Sequence, residues 1–391
     1  MRRHISHLLL ISSIYLLFSF PALGYVGLCC GKCGGNMPMN TPGGGTPETY
    51  EYRIKFTPML MTMNGMINGD SKFNERDLLG MPMMMGIPTG QFMAVPTEMD
   101  MDMFNISVGY SFTDDFFAGV MLMYQEKSMD MLFNSMMQMN TGEPGFTMES
   151  DGIADTMIMT KYRLYYDDPL IPKSQVSLFI GLSLPTGSID EENSSHPVTM
   201  RQQELLPYGM QLGSGTADPT IGLLYQGSKS PIWWGVNALY TGRFYDNDRD
   251  YRLGDEVRLD LYTMYQLSYH LVSEIQLNGR YQGRIRGEMD ESETGGSGHV
   301  TQGNAASPFA TPLWDTDNSG GEKLGLTVGL QWQPLPLHII NLQVGAPLYQ
   351  NLNGVQLKNS YHIALTWYLE IPTKKSRRYK TSGKKDSTLG F

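Results

Sequence analysis

The chain has 391 residues, of which only 17% are charged, with a formal net charge of −10 at pH 7. That balance argues against nucleic acid as a partner, because a phosphate backbone needs a basic surface. No stretch beyond the first residues approaches about 20 consecutive apolar positions, which excludes a helical membrane protein. Gly (43), Met (29) and Tyr (22) are abundant, a composition suited to an all-β chain with a wet interior and a tyrosine-decorated exterior.

Residues 1–24, MRRHISHLLLISSIYLLFSFPALG, read as a secretory signal. Arg2 and Arg3 supply the basic start, residues 8–20 the apolar core, and Ala22, Leu23 and Gly24 a small-x-small cleavage site. The exported chain then enters any membrane only as a barrel. Residues 25–49 form a leader rich in Cys, Gly and Pro, expected to be flexible and periplasmic. All three cysteines, Cys29, Cys30 and Cys33, lie there in GLCCGKCGG. Their odd number rules out a fully paired framework. The Cys-x-x-Cys spacing between glycines is either a soft-metal site or a plain leader with one disulfide.

From residue 50 onward a period of two recurs. Ile275, Leu277, Gly279, Tyr281, Gly283 and Ile285 alternate with Gln276, Asn278, Arg280, Gln282, Arg284 and Arg286. Tyr361, Ile363, Leu365, Trp367 and Leu369 alternate with His362, Ala364, Thr366 and Tyr368. Segments at 50–63, 102–111, 115–127, 152–166, 174–185, 216–227, 232–245, 253–268, 271–286, 323–333, 337–349 and 356–370 give about twelve strands. Short turns alternate with long connections at 64–101, 128–151, 186–215 and 287–322, apart from short ones near Asn247 and Asn351.

A soluble sandwich or calycin-like barrel would turn the apolar face inward. It would then leave Arg163, Arg243, Arg258, Arg280, Arg284 and Arg286 on its surface unrelieved by lysine. The alternation of Gly and Tyr on the apolar face favours lipid outside. The predicted architecture is all-β: a transmembrane antiparallel up-and-down β-barrel over 50–370, with long extracellular loops, in a Gram-negative outer membrane. A basic periplasmic tail follows over 371–391.

GLSLPTGS (181–188), LPYGMQLGSGTADPTIGLLYQG (206–227), YRLGDEV (251–257) and GAPLYQNLNGVQL (345–357) resemble the outer-membrane transporter family named for the MetA pathway of phenol degradation. The resemblance runs over most of the mature chain and is densest from 175 to 370, carried by the order of the motifs. It implies an outer-membrane barrel with a transport role and leaves the substrate open.

Twenty-four of the 29 methionines lie between positions 37 and 159. Met59, Met61 and Met63 share the parity of Arg53 and Lys55, the lumenal one. Met121 and Met123, and Met157 and Met159 beside Lys161 and Arg163, repeat the pattern. Met83, Met84 and Met85, and then Met99, Met101 and Met103, fall at predicted loop positions. Together they predict a thioether-lined external mouth. Thioethers select Cu(I) over hard cations, which makes these methionines and the three cysteines candidate soft-metal ligands. The alternative is methionine as an adaptable filler of irregular apolar space.

The lumenal arginines either favour anionic solutes or pair with interior acids such as Asp260 to stiffen the wall. Acidic loop residues (Asp190, Glu191, Glu192, Glu288, Asp290, Glu291 and Glu293) are either solvated or hold divalent ions that bridge lipopolysaccharide. No local catalytic motif stands out. The functional expectation is a non-enzymatic outer-membrane channel for small solutes or metal ions, with selectivity set by lumenal Arg and Met. The alternatives are a methionine-rich surface barrel that binds or senses Cu(I), and a loop-borne enzyme.

Overall fold

The computed structural model describes residues 37–168, 172–289, 298–301 and 303–376. The predicted signal, Cys29, Cys30 and Cys33, the acidic loop residues Asp290, Glu291 and Glu293, and the tail beyond Ser376 lie outside the described residues.

Eleven strand elements form one closed antiparallel ring. They are β1 (Glu51–Gly69), β2 (Ala94–Ser111), β3 (Phe116–Phe133), β4 (Thr156–Tyr166), β5 (Ser174–Leu184) and β6 (Asp218–Lys229). The ring continues through β7 (Ile232–Thr241), β8 (Glu256–Ser268), β9 (Leu271–Gln282), β10 (Gly321–Leu335) and β11 (His338–Pro372). Each pairs with its chain neighbour, and β11 also pairs with β1 to close the sheet. A ring of antiparallel neighbours closes only with an even number of crossings. The chain meets this by folding β11 back on itself. Its residues up to Leu352 pair with β10, and those from Leu352 to Pro372 pair with β1. Gly354 turns the corner at φ +61°, and Gln350 and Asn359 are hydrogen-bonded across the hairpin at 2.9 and 3.0 Å. Eleven elements thus make twelve crossings, in line with the count read from the periodicity. Two further strands of the same sheet, Ser71–Phe73 and Gly145–Ile153, stand outside the ring, and among the described residues two small two-stranded sheets lie apart from it.

The apolar alternation faces outward. On β6, Ile221 and Leu223 are exposed, while Thr220, Leu224 and Gln226 are buried in the lumen. The same parity exposes Ile275 and Leu277 on β9, and Tyr361, Leu365 and Trp367 on β11. Lipid, not a second sheet, is the partner of this surface.

The sequence periodicity places the strand ends too early on one side. Residues 64–101 and 128–151 were expected to be loops, yet β1 runs on to Gly69, β2 begins at Ala94 and β3 reaches Phe133. Gly145–Ile153 then pairs with β3 from Leu132 to Tyr124. The reason is a change in what faces outward. Above Leu60, Phe104 and Leu122, the outer positions become Thr62, Glu98, Asp100, Asp102, Glu126 and Asp130, with Thr62 donating to Asp100 at 2.7 Å and Asn64 to Glu98 at 3.2 Å. The sheet continues beyond the lipid edge, and the apolar-out signal stops there.

The described part of the leader departs from the expectation of a flexible periplasmic segment. Residues 37–49 do not trail from the barrel but fold into its lumen from the end that carries the short turns. Met37 and Met39 are fully buried against Leu224, Trp233, Met264 and Ile339. Gly45, at φ +69°, passes Tyr368 so closely that a Cβ would lie 2.6 Å from its ring. The segment is compact because its polar backbone is satisfied from the wall, as described below.

Replacing Leu223 by Arg puts a charge at mid-strand on the lipid face. Urea titration of protein refolded in vesicles should show a loss of about 2–4 kcal/mol. An unchanged midpoint would mean that this face is not in lipid.

Candidate functional site

The methionines on the first three strands come into register. Met59 opposes Met103, Met61 opposes Met101 and Met63 opposes Met99 across β1 and β2. Met99 opposes Met129 on β3, which in turn opposes Met148 of Gly145–Ile153. A two-residue repeat on neighbouring antiparallel strands sends all of these to one face. That face is the lumen, where Met63, Met99, Met101, Met129 and Met148 pack with Met66, Met131, Leu206, Met210 and Leu357. Met121, Met157 and Met159 separate from this ladder and join Met37, Met39, Phe117 and Phe179 nearer the short-turn end. Met123 accepts from Gln125 Nε2 at 3.2 Å. Met83 and Met84 form a two-residue external strand, with Met84 and Met85 largely bare to solvent. The single thioether mouth expected from sequence is therefore three groups: an upper ladder, a lower cluster and an outer hairpin. In the lower cluster Met159 Sδ accepts from Arg53 Nη2 at 3.6 Å. A guanidinium at that sulfur repels a metal cation.

Most of the candidate selectivity arginines pair with acids. Arg163 contacts Asp115 at 2.7 Å, Arg243 contacts Asp218 at 2.9 Å, and Arg258 lies 3.6 Å from Asp260. Arg280 meets Glu256 at 2.7 Å and Arg284 meets Asp317 at 2.8 Å. Arg286 sits on a short strand with Gly287, paired to Tyr251–Arg252. Of the two roles open for these arginines, pairing within the barrel describes four of the six; the Arg284–Asp317 pair is exposed and lies outside the ring strands.

Sequence reasoning missed a second set of cations. Arg53 Nη1 donates to the carbonyls of Gly44 and Gly45 at 2.6 and 2.7 Å, and Lys55 Nζ to that of Met39 at 2.9 Å. Higher in the lumen, Lys127 Nζ donates to the carbonyls of Gly209 at 3.1 Å and Gln211 at 2.5 Å. These carbonyls belong to two inserts: residues 37–49 from the short-turn end, and the tip of the long loop 185–217 from the other. The lumenal parity of all three cations was visible in sequence. Their partners were not, because main-chain oxygens carry no sequence signature. Opposite, Glu274 is buried and accepts from Gln331 at 2.9 Å, Asn341 at 3.2 Å and Gln343. Gln331 and Gln343 also reach residues 37 and 40, tying the same insert to β10 and β11.

The loop 185–217 is anchored by Asp155, which accepts from Ser214 N and Oγ, both at 2.8 Å, and from Gly187 N at 3.0 Å. Between this loop, the β3 hairpin, Gly298 and residues 310–314 lies a small pocket of about 50 Å³, lined by Met131, Met148, Phe133, Phe146, His196 and Trp314 among others. The His196 ring meets Phe146 edge-on at 4.5 Å between centroids. Burial, and then the charge of Arg201, push its pKa down to about 4. Its imidazole is therefore neutral and part of an apolar lining. This pocket opens onto the methionine ladder through the shared Met131 and Met148.

A closed antiparallel ring, apolar outside and filled within, with short turns at one end and long inserted loops at the other, is an outer-membrane β-barrel. The chain is a protein of that class, and the short-turn end is periplasmic. No family model and no curated protein matches the sequence, so the resemblance to the phenol-pathway family rests on its motifs. Solved structures do match in fold. An outer-membrane channel of Pseudomonas putida aligns with a TM-score of 0.55 at 11% identity, covering 86% of this chain and 99% of that one. A FadL homologue of Pseudomonas aeruginosa gives 0.39 at 11% identity, over 90% of this chain and 99% of that one. The P. putida toluene transporter TodX gives 0.41 at 9% identity, over 83% and 91%.

Protonating His196 is disfavoured in the folded loop. The stability it contributes is complete above the ordinary histidine pKa of about 6.5 and is lost as pH falls towards about 4. Limited proteolysis of the 193–207 segment should therefore quicken over that window. His196→Phe should abolish the pH dependence; if it persists in that variant, the titrating group lies elsewhere.

Proposed function

We propose that the protein is an outer-membrane channel for small, largely apolar molecules, held shut by its two inserts. The observation that carries this reading is the in-register methionine ladder on the lumenal face, joined at its outer end to that small apolar pocket. Its aromatic and thioether lining suits an apolar solute, and at about 50 Å³ it must widen to admit one. The ladder supplies polarizable, adaptable contacts without a fixed shape. The P. putida protein of the same fold is itself an outer-membrane channel, which supports the assignment.

In this reading the lower insert is the inner gate. Residues 37–49 fill the periplasmic half of the lumen, and their strongest ties are the donors of Arg53 and Lys55. An Arg53→Gln, Lys55→Met double variant loosens those ties without touching the lipid-facing wall. Reconstituted in planar bilayers with a lipopolysaccharide outer leaflet, this variant and a deletion of residues 37–46 should show conductance steps that the intact protein lacks. Intact protein should also retain a labelled neutral aromatic in equilibrium dialysis. A barrel that stays silent in both variants and retains nothing overturns the assignment.

A further inference from the structure

The tip of the upper insert has the form of a bound ligand. The Met210 side chain is fully buried among the wall methionines, in the same cluster as Met99, Met129 and Met148. Three successive carbonyls around it are each captured by a side chain of the wall. Gly209 and Gln211 are held by Lys127, and Met210 by Ser150 Oγ at 2.7 Å. Lys127 and Ser150 are direct cross-strand partners, and Met101 opposes Lys127 from the other side. The wall thus offers one ammonium and one hydroxyl side by side, embedded in thioethers.

Those two donors are present for a reason other than the barrel's own strands. Lys127 is buried, and among the described residues it forms no ion pair; its acceptors are neutral peptide oxygens. A buried ammonium is better satisfied by a carboxylate, which brings the opposite charge along with its oxygens. A dianion such as phosphate would leave charge uncompensated, and it has no body to fill the thioether walls. An uncharged hydrocarbon would leave Lys127 and Ser150 without acceptors.

We propose that this niche binds a small molecule with an apolar body and a single carboxylate. The carboxylate replaces the carbonyls of residues 209–211 on Lys127 and Ser150, and the apolar body replaces the Met210 side chain. The inserted turn is then a resident surrogate that withdraws when such a solute arrives. Besides the wall donors, the turn is tied within its own loop: Met210 N donates to Pro207 O at 2.8 Å, Gln211 Nε2 to Leu206 O at 2.7 Å and Glu191 N to Gln211 Oε1 at 2.9 Å, so it withdraws together with residues 188–191. The proposal rests on the channel reading above and names the class of solute it takes.

The test compares 3-phenylpropionate with 3-phenylpropanol, which share a body and differ in charge, by equilibrium dialysis against full-length protein refolded in detergent. The acid should bind about tenfold more tightly than the alcohol, the ratio expected for one charge-assisted hydrogen bond. Lys127→Met should erase that preference with alcohol binding retained, and Lys127→Arg should keep it. Met210→Ala removes the surrogate side chain and should tighten both ligands. Heat-modifiable gel mobility verifies that each variant is folded. An acid preference that survives Lys127→Met, or alcohol binding without acid binding, overturns the carboxylate site and leaves the channel reading standing. If neither ligand binds the intact protein or Met210→Ala, both fall.

Discussion

Everything in this molecule follows from the hydrogen-bonded seam between β1 and the returning half of β11. Once that seam forms, from Glu51 opposite Pro372 to Gly69 opposite Leu352, the sheet has no lateral edge. Within lipid an open edge is not tolerable, because each unpaired peptide group there costs several kcal/mol. Closure then divides every strand into two unlike faces and gives each residue's parity a physical meaning. Leu223 meets lipid and Leu224 meets the lumen only because the ring is complete.

The interior so created is narrow, and it is filled from both ends. Residues 37–49 occupy the periplasmic half, and residues 205–212 occupy part of the other. Neither insert uses regular pairing to the wall. Both are held by cationic side chains that reach peptide oxygens, a mode that satisfies a buried backbone without prescribing its sequence. Such contacts exchange readily for another acceptor of similar shape, unlike a strand ladder, in which many bonds must break together. The acidic partners of Arg163, Arg243 and Arg280 play the opposite part. They lock neighbouring wall elements to one another.

Much of this was legible from sequence wherever side-chain chemistry alternates. Residues 275–286 and 361–369 show both faces plainly, and the shared parity of Met59, Met61 and Met63 with Arg53 placed them inside. Legibility failed in two ways. The tops of β1 to β3 carry Glu98, Asp100, Asp102 and Glu126 outward, so the contrast between faces inverts while the backbone stays extended. The inserts were invisible because residues 37–49 have no period, and their partners are carbonyl oxygens common to every residue. Lys127 is the sharpest case. Its position between Gln125 and Met129 put it in the lumen, but nothing in its neighbours announced that Gly209 and Gln211, more than eighty positions away, complete its shell.

The taller wall built by β1 to β3 and Gly145–Ile153 makes the barrel lopsided. Its carboxylates look outward beyond the lipid edge, while its thioethers look inward at the same height. In the proposed channel, a solute descending along that wall would shed its water before it came level with the hydrocarbon layer. On that reading, the step that most limits oily molecules at a bacterial surface, passage through a charged and hydrated coat, is moved onto a dry parapet supplied by the protein itself.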